Sequence, residues 1–387
     1  MDAGDDEPQA IVVTPGRELA LQSSTVLKDM GSGLRAMACY GGRAAMDEHR
    51  VLKQVRPQII FGTPGRLNDH LSKGNFSPYH IKYLVIDEFD KCLEMGFQDE
   101  MSRLIQFLPG LRRHFLLSAT EAEEIPRFVH MGRVEKIDYR MDEEQVPERV
   151  HIYKVESPVK DKLESLGRLL RSLGETSTIV FLNYRDSVER TNNYLVEQGF
   201  STSFFHGGLE QKEREASLYR FSNGSANILV STDLASRGLD IPDIDNIIHY
   251  HIPESEDGYI HRVGRTARWE AQGRAFFLLG PEEHIPEYVD AAVEDYEIPA
   301  VEELPAPAKP KMATLYIGKG KKDKISKGDI LGFLCKKGGL NSSEIGKIDV
   351  NDRYAYAAIA RPKLKSVLNN VKGEKIKGVK TIVEEVR

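Results

Sequence analysis

The sequence predicts an α/β fold with two doubly wound parallel sheets, followed by a smaller α+β domain. Short apolar runs, typical of buried parallel strands, alternate with helical patterns from residue 10 to residue 295. A Pro-rich stretch then separates this region from a basic segment that has its own strand and helix patterns. The length of 387 residues is enough for two or three domains. We place the boundaries at 1–145 and 146–296 for the α/β domains, 297–311 for the linker and 312–387 for the α+β domain.

The most informative predicted strand is Tyr83–Ile86, because it ends in acidic residues. Its four strand-forming residues are followed directly by Asp87 and Glu88. Ligands of parallel sheets lie just beyond the carboxyl ends of the strands, where a carboxylate can hold Mg²⁺ directly or through its water. We therefore predict that Asp87 binds the metal and that Glu88 is the general base that polarises a water. A strand that ends in a solvated acidic turn is the alternative interpretation.

Further strand ends in the first domain carry residues suited to phosphate binding. Free backbone N–H groups at strand-to-helix corners bind phosphate, and arginine adds a bidentate cation. The residues that follow these strands are Thr14–Arg17, Gly41–Gly42, Thr63–Arg66 and Ser118–Thr120. Each corner alone is explained by an ordinary turn, but together with Asp87 they indicate one ligand-binding edge.

The second domain repeats the alternation and ends in a basic cluster. Its strand ends carry His206-Gly207-Gly208 and the segment from Ser231 to Asp240, and a predicted helix carries His261, Arg262, Arg265 and Arg268. Spacings of three and four residues place these cations on one helix face, where they repel each other unless an anion neutralises them. A surface face paired with Glu254 or Glu270 is the alternative.

Charge is distributed unevenly along the chain. Residues 309–387 contain 19 Lys and Arg against 8 Asp and Glu, whereas the preceding residues contain 34 against 51. A basic appendix on an acidic protein points to an anionic partner, with nucleic acid the first candidate. The alternative is a basic domain that is merely soluble.

The cysteines and the N-terminal sequence indicate the cellular compartment of the protein. Cys39, Cys92 and Cys335 are scattered, odd in number and lack metal-ligand spacing, which is typical of a reducing cytoplasm. The acidic N-terminal residues predict no signal peptide, and no apolar run is long enough for a membrane helix. We expect a cytoplasmic monomer that has no contact with a membrane.

These motifs, in this order and spacing, resemble those of the DEAD-box RNA helicases, a family with two RecA-like domains. The resemblance covers residues 10–295. It rests on the sequences Pro15–Leu19, Gly41–Gly42, Thr63–Arg66, Asp87–Asp90, Ser118–Thr120, His206–Gly207 with Gln211 and Arg214, Ser231–Asp240 and His261–Arg268.

The resemblance implies a role for each matching residue. ATP and Mg²⁺ are the expected cofactors, served by Asp87 and Glu88, with Gly238 and Asp240 approaching the nucleotide from the second domain. Arg265 and Arg268 would be arginine fingers, His261 would link to the acidic motif, and Ser118 and Thr120 would couple the cleft to RNA. The residues expected at the RNA backbone are Arg17, Gly42, Thr63, Gly65, Arg66, His206, Gly207, Thr232 and Asp233.

The chain departs from the family pattern at three points. Phe89 stands where the family name has alanine, and Gly16 stands where the family usually has threonine. The third departure is the phosphate loop, since no G-x-x-x-x-G-K-[ST] sequence occurs in the 387 residues. The expected explanation is a first domain truncated at its N-terminus, and a natural adaptor without the loop is the alternative.

The basic segment predicts a βαββαβ order, which is typical of RRM-like folds. Tyr354 and Tyr356 alternate onto one face, where they could stack on bases or belong to the core. Lys319, Lys321 and Lys322 lie in a Gly-rich loop that we expect to be flexible and to contact phosphates. The segment resembles the C-terminal RNA-binding domain of one bacterial DEAD-box subgroup, through matches that include Arg353 and Tyr354. That resemblance implies large-subunit ribosomal RNA as the partner.

The function predicted from the sequence is ATP-dependent remodelling of RNA. ATP and RNA would close the two α/β domains and so unpair a short duplex, while the basic domain tethers the enzyme. A non-catalytic RNA-binding protein is the alternative, because the phosphate loop is absent. A DNA helicase is disfavoured by the RNA-type C-terminal domain.

Overall fold

The computed structural model of the protein describes residues 1–42, 45–118, 125–129, 134–138, 149–235, 241, 244–266 and 272–386. The chain divides into two compact units with a boundary near residue 142, and each unit is described by itself. Among the described helices, none has the length and apolar character needed to cross a bilayer.

The first unit contains a parallel five-stranded sheet of order β2-β3-β1-β4-β5. Its strands are β1 (Ala10–Val13), β2 (Ala36–Cys39), β3 (Ile59–Gly62), β4 (Tyr83–Ile86) and β5 (Arg113–Leu116). Its helices are α1 (Arg17–Asp29), α2 (Ala45–Val55), α3 (Pro64–Ser72), α4 (Phe89–Glu94) and α5 (Gln98–Gln106). The strands are short and apolar, and Ile11, Ile60, Leu84 and Ile86 are fully buried.

The strand register brings the predicted ligand-binding corners to one edge. Val13, the last residue of β1, pairs with Gly62 on one side and with Ile86 on the other. Gly62 in turn pairs with Cys39, and Ile86 pairs with Leu116, so the described strands of this sheet end level with one another. The segments that follow all five strands therefore leave the sheet at the same edge.

The second unit begins with a parallel seven-stranded sheet of order β12-β6-β11-β10-β7-β9-β8. Its strands are β6 (Val150–Glu156), β7 (Thr178–Phe181), β8 (Thr202–Phe205), β9 (Ile228–Ser231), β10 (Asn246–His249), β11 (Gly273–Leu279) and β12 (Val293–Asp295). Its helices are α6 (Leu163–Leu173), α7 (Arg185–Glu197), α8 (Gln211–Ser222) and α9 (Glu256–Val263). The prediction of two doubly wound parallel sheets is thereby confirmed.

The C-terminal part has an antiparallel sheet of order β14-β15-β13-β18, as the RRM-like pattern predicts. Its strands are β13 (Met312–Ile317), β14 (Ile345–Val350), β15 (Ala355–Ala360) and β18 (Val383–Glu385), with a small separate hairpin of β16 (Lys375–Ile376) and β17 (Val379–Lys380). The helices are α10 (Lys327–Lys336) and α11 (Leu364–Asn370). Leu315, Ile330, Leu334 and Ile359 are fully buried in its core.

The Pro-rich linker is held against the second α/β domain. Arg171 of α6 donates to the carbonyl oxygens of Leu304 and Pro305, both at 2.7 Å. Lys309 donates to the carbonyl oxygen of Gly199 at 2.6 Å. The composition of the linker predicts an extended segment but does not reveal these anchors, because they depend on side chains far away in the sequence.

Candidate functional site

Asp87 and Glu88 follow β4 at the common edge of the first sheet. The Asp87 N–H donates to the carbonyl oxygen of Val13, and the Glu88 N–H donates to Asp87 Oδ1 at 3.0 Å. Glu88 has a φ of 49°, a left-handed conformation that is strained for a residue with a side chain. The turn into α4 thus fixes the backbone that carries both acidic side chains.

The environment of Asp87 suits a divalent cation. Burial raises the pKa of this carboxyl group, and the nearby Asp90 raises it further, although the Glu88 N–H opposes both effects. A half-buried carboxylate with a second acid beside it is stabilised when a cation neutralises it. The donor set of carboxylate oxygens at a strand end is also the type that Mg²⁺ prefers.

Phe89, the departure from the family pattern, belongs to the core of the first unit. Its side chain is 1% exposed, and its N–H donates to the carbonyl oxygen of Leu117 at 2.9 Å. Because the Phe89 ring points into the core, the substitution leaves the arrangement of Asp87 and Glu88 unaffected. Ser118 lies just beyond β5 and is exposed, whereas Thr120 lies outside the described residues.

The predicted RNA-backbone residues of the first unit lie around one turn, Tyr40–Gly42. The Arg17 guanidinium lies beside Gly41, since a Cβ placed there would be 3.6 Å from Nη2. Gly42 has a φ of +88°, which favours glycine. Arg66 Nε donates to the carbonyl oxygen of Tyr40 at 3.2 Å. The structure therefore brings Arg17, Gly42 and Arg66 together, as the strand-end pattern predicts.

Thr63 and Gly65 complete this group at the start of α3. The Thr63 N–H donates to the carbonyl oxygen of Cys39 at 3.3 Å, and Pro64 occupies the first helical turn. Gly65 is exposed within that turn. Two adjacent loops and one helix start therefore surround the predicted phosphate-binding edge.

In the second unit, His206 and Gly207 follow β8. His206 is 2% exposed; its Nε2 lies 3.1 Å from Glu189, and its Nδ1 accepts the Gly208 N–H at 3.1 Å. Burial lowers the pKa of His206, and Glu189 partly opposes that effect. Gly207 is exposed, while the His206 ring is held within the protein.

Asp233, a predicted RNA contact, forms a bidentate ion pair with Arg262. Arg262 is fully buried and also donates to the Asn183 side chain and to the carbonyl oxygen of His251, both at 2.8 Å. The sequence pattern predicts no individual role for Arg262 and favours Glu254 or Glu270 as acid partners of its cluster. Among the described residues, the acid that pairs with it is Asp233. The sequence contained a signal for this ion pair, because Asp233 lies just beyond the buried strand β9.

The expectation that the basic cluster lies on one helix face is wrong for the described residues. Helix α9 ends at Val263, with Gly264 at its C-cap, so Arg265 lies beyond the helix. Within α9, His261 Nε2 lies 3.2 Å from Asp257. The predictions for Gly238, Asp240 and Arg268 concern residues outside the described ranges, and the roles of His261 and Arg265 stay predictions.

The predicted basic loop is an ordered turn. The N–H groups of Lys321 and Lys322 donate to the carbonyl oxygens of Asn351 and Asp352, at 2.9 and 2.8 Å. At Gly320, a Cβ would lie 2.2 Å from the Asn351 carbonyl oxygen, so only glycine permits this close approach. The expectation of a flexible loop is therefore wrong, because backbone hydrogen bonds to the next turn fix it.

The two turns form one cationic surface, which we call the basic double turn. It contains Lys319, Lys321, Lys322 and Arg353. Lys321, Lys322 and Arg353 are exposed, and Lys319 is partly buried and pairs with Asp323 at 3.1 Å. The sequence places Arg353 more than thirty residues from Lys319, and only the contact between the turns brings them together.

Tyr354 lies against helix α8 of the second α/β domain. Its hydroxyl group donates to Glu215, and Lys212 lies 5.8 Å from the centre of its ring. Tyr316 and Tyr356 pack beside it, with ring centres 5.7 and 5.3 Å away. Tyr354 therefore makes a contact between two domains of one chain, and base stacking by its ring stays a prediction.

Other residues extend this contact, which we call the α8–sheet interface. The rings of Tyr219 and Tyr356 stack with centres 5.1 Å apart, and the Tyr219 hydroxyl group donates to the carbonyl oxygen of Lys347. Asn223 donates to Thr314 at 2.9 Å. The sequence pattern did not predict this surface. An aromatic residue, Tyr219, on the otherwise highly charged α8 was a possible signal.

Comparisons with known proteins agree with this arrangement. Descriptions of three families match the chain: DEAD/DEAH box helicase at residues 2–128, helicase conserved C-terminal domain at 161–270 and DbpA RNA binding domain at 314–385. The chain belongs to the DEAD-box RNA helicase family. Members of this family are ATP-dependent enzymes, and the chain also carries the DbpA-type RNA-binding domain.

Individual relatives cover most of the chain. The ATP-dependent RNA helicase DbpA of Escherichia coli is 35% identical over 390 residues, which are 98% of this chain and 84% of that protein. DbpA of Bacillus subtilis is 30% identical over 405 residues, 97% of this chain and 84% of the relative. A structure of S. cerevisiae Dbp5 bound to RNA and ADP BeF3 is similar, with a TM-score of 0.66, 26% identity, and coverage of 76% of this chain and 79% of that one.

Proposed function

We propose that this DEAD-box protein remodels large-subunit ribosomal RNA during ribosome assembly, as a cytoplasmic monomer. The observation that carries the proposal is the DbpA-type domain, whose antiparallel sheet presents the basic double turn. Clustered cations on an ordered turn bind phosphates, and a rigid arrangement loses little entropy when the RNA binds. The family match supports the RNA partner, and the DbpA match supports ribosomal RNA in particular.

ATP and Mg²⁺ would act at the edge of the first sheet. Asp87 fits Mg²⁺ because burial leaves its carboxylate in need of a cation, and Glu88, the next residue, would orient the attacking water. Bound ATP supplies the phosphoryl group whose transfer drives the cycle. Arg265 and Arg268 are proposed to stabilise the transferring phosphate, and Gly238 and Asp240 to approach the nucleotide.

The RNA backbone would lie along the strand ends of both helicase domains. In the first unit, Arg17 and Arg66 offer two guanidinium groups, Gly42 and Gly65 offer exposed backbone, and Thr63 lies beside them. Gly207 and Thr232 offer exposed or half-exposed backbone in the second unit. Contacts of this kind grip phosphates without reading the base sequence.

The test compares two RNA hairpins of equal length, one from large-subunit ribosomal RNA and one with a shuffled sequence. Binding is measured by fluorescence anisotropy over a range of salt concentrations. Changing Lys319, Lys321 and Lys322 together to Ala should weaken binding to both hairpins. It should also reduce the salt slope by up to about one unit for each phosphate that the variant no longer neutralises.

The matched control changes Lys365, Lys372 and Lys375 to Ala. These lysines are exposed in the same domain and carry the same total charge. The control should leave both affinities close to wild type. Equal losses in the two triple variants would show that net charge alone matters and would overturn the assignment of the basic double turn. Equal affinity of the wild type for the two hairpins would overturn the ribosomal RNA target.

A further inference from the structure

A buried carboxylate lies beneath the Tyr40–Gly42 turn, and it belongs to Glu48 of α2. Glu48 is 5% exposed. Its Oε1 accepts the Tyr40 N–H at 3.2 Å, while its Oε2 lies 2.9 Å from His70 Nε2 and 3.2 Å from Arg66 Nε. One acidic side chain therefore joins the turn after β2 to two residues of α3.

The contact between Asn75 and His70 indicates which ring nitrogen of His70 carries the proton. The Asn75 side-chain amide lies 2.8 Å from His70 Nδ1 and can donate to it. A neutral His70 then carries its proton on Nε2 and donates it to Glu48. Glu48 thus accepts hydrogen bonds from the Tyr40 N–H and from His70, and it forms an ion pair with Arg66.

A metal ion is a poor occupant of this cluster, although Cys39, Glu48 and His70 have potential ligand atoms within 4.8 Å of one another. Burial raises the pKa of the Cys39 thiol, so it remains protonated. The Arg66 guanidinium already occupies Glu48 Oε2, and a cation placed there would be repelled by it. The cluster is better explained as an anchor for Arg66.

The anchor acts on one end of the Arg66 guanidinium. Nε donates to the Tyr40 carbonyl oxygen and faces Glu48, with both distances 3.2 Å. The Arg66 side chain is 12% exposed. Because the guanidinium is planar and rigid, fixing Nε also fixes the direction of its two Nη groups. An arginine held in this way loses little side-chain entropy when a phosphate binds.

We propose that Glu48 is a positioning residue, which orients Arg66 toward the phosphate backbone of bound RNA. The inference rests on the proposed function, because it takes Arg66 as an RNA contact. Glu48 is negatively charged and lies at a proposed RNA-binding edge, where repulsion between its carboxylate and the RNA phosphates would disfavour it. Two hydrogen bonds and the ion pair with Arg66 explain how that buried charge is tolerated.

The direction of the change in RNA affinity distinguishes a positioning role of Glu48 from a simple effect of its charge. Glu48→Gln removes a negative charge and should nevertheless weaken RNA binding, because Arg66 loses its ion pair and keeps only the hydrogen bond from Nε to the Tyr40 carbonyl oxygen. The matched control is Asp69→Asn, which removes the other acid beside Arg66, 3.8 Å from Nη1 and one-third exposed. Asp69→Asn should leave RNA binding unchanged or slightly stronger, since it removes the same charge without freeing Nε.

Binding to the first unit is measured by photo-crosslinking of the full chain. A short oligouridine that carries 4-thiouridine is titrated, and crosslinks to the peptides within residues 36–73 are quantified by mass spectrometry. Arg66→Ala and Glu48→Gln should each raise the half-saturating RNA concentration by about tenfold, the loss expected for one charge-assisted hydrogen bond. The double variant should be no weaker than Arg66→Ala, because Glu48 acts through Arg66.

Thermal unfolding and a second variant control for damage to the fold. His70→Gln disturbs the same buried carboxylate but leaves the contact between Glu48 and Arg66 in place. If His70→Gln weakens RNA binding as much as Glu48→Gln, the role of Glu48 is structural and the proposal fails. If Arg66→Ala alone binds RNA normally, the proposed RNA contact fails instead, so the two failures are distinguishable.

Discussion

Arg262 and Asp233 form a bidentate ion pair in which Nε and Nη2 of the arginine meet the two carboxylate oxygens at 2.5 and 3.1 Å. Arg262 also holds the Asn183 side chain and the His251 carbonyl oxygen. Asn183, Asp233 and His251 follow β7, β9 and β10, three adjacent strands of one sheet. A single guanidinium therefore joins three strand ends to helix α9.

Replacing this guanidinium with an ammonium should be costly. Lysine provides one compact charge and cannot reach all four acceptors in their present geometry. Arg262→Lys keeps a positive charge beside Asp233, whose side chain is 40% exposed, but loses hydrogen bonds to Asn183 and to the His251 carbonyl oxygen. The variant should therefore lose roughly 2–3 kcal/mol of the free energy of unfolding. Urea denaturation of the full chain, monitored for the second unit, measures the loss.

The control for this prediction is an exposed arginine in the same unit. Arg190 pairs with Asp161 at 2.6 Å, but both side chains are more than half exposed. Arg190→Lys should therefore change the free energy of unfolding by less than about 1 kcal/mol. Equal and small losses in the two variants would contradict the role of Arg262 as the joint between strand ends.

His251 should make stability depend on pH. Burial and the nearby Lys162 lower its pKa to about 4, although Glu283 opposes the shift. Its Nδ1 also accepts the Asn183 N–H, which requires an unprotonated nitrogen. The unfolded chain takes up the proton near pH 6.5, so the stability contributed by neutral His251 is full above that pH and is lost as the pH falls toward about 4.

Because His251 is only partly buried, the shift corresponds to a loss of at most about 3 kcal/mol over this pH range. His251→Asn retains an acceptor for the Asn183 N–H but does not titrate. The variant should show a shallower fall in the free energy of unfolding between pH 6.5 and 4, measured by urea denaturation at several pH values. An unchanged slope would assign the acid sensitivity to other groups, such as the fully buried His249, whose pKa is also lowered by burial.

Tyr354→Phe should separate domain docking from base stacking. The variant retains the aromatic ring but removes the hydroxyl group that donates to Glu215 across the α8–sheet interface. Docking should weaken by about 1 kcal/mol, and Tyr354→Phe combined with Glu215→Gln should show coupling of similar size. Amide hydrogen exchange in α8 and in β15 reports the docking.

RNA affinity provides the contrasting measurement for Tyr354. If its ring stacks on a base, Tyr354→Phe should bind a ribosomal RNA hairpin as the wild type does, and Tyr354→Ala should lose roughly 1–3 kcal/mol. If the residue serves docking alone, Tyr354→Ala should increase hydrogen exchange and leave the hairpin affinity of the C-terminal domain unaffected. Unchanged exchange in both variants would remove Tyr354 from the interface.

The 387-residue chain should hydrolyse ATP at background rate, with or without RNA. It contains Asp87 and Glu88 but no phosphate-loop sequence to cradle the β- and γ-phosphates and no loop lysine. A coupled phosphate-release assay measures turnover at saturating RNA. Robust RNA-dependent turnover would show that other residues of this chain position the phosphates, and it would contradict the prediction.

Arg265 can be tested once a phosphate loop is supplied. In a chimaera that carries the corresponding N-terminal segment of a DbpA relative, Arg265→Ala should lower RNA-stimulated ATPase by on the order of 10³-fold. RNA binding without nucleotide should remain close to that of the unmodified chimaera. Near-normal turnover of the variant would indicate a structural role for Arg265, which lies just beyond α9.

The sequence by itself determined the fold class and the identity of the candidate site. Four-residue apolar runs such as Tyr83–Ile86 are short enough to be strands and too apolar to be exposed, so alternation with helices predicts parallel sheets. Parallel strands that end level bring their carboxyl ends to one edge. This geometry is why residues as distant as Arg17 and Arg66 could be assigned to one site before their positions were known.

Only the tertiary structure decided which partner each side chain takes. Arg262 belongs to a basic cluster in the sequence, yet it is fully buried and pairs with Asp233. Tyr354 is partly buried, and its hydroxyl group donates to Glu215 of α8. Glu48 gave no sequence signal at all, although it joins Tyr40, Arg66 and His70. Local patterns encode the period and polarity of an element, whereas the partner of a buried charge depends on contacts between residues far apart in the chain.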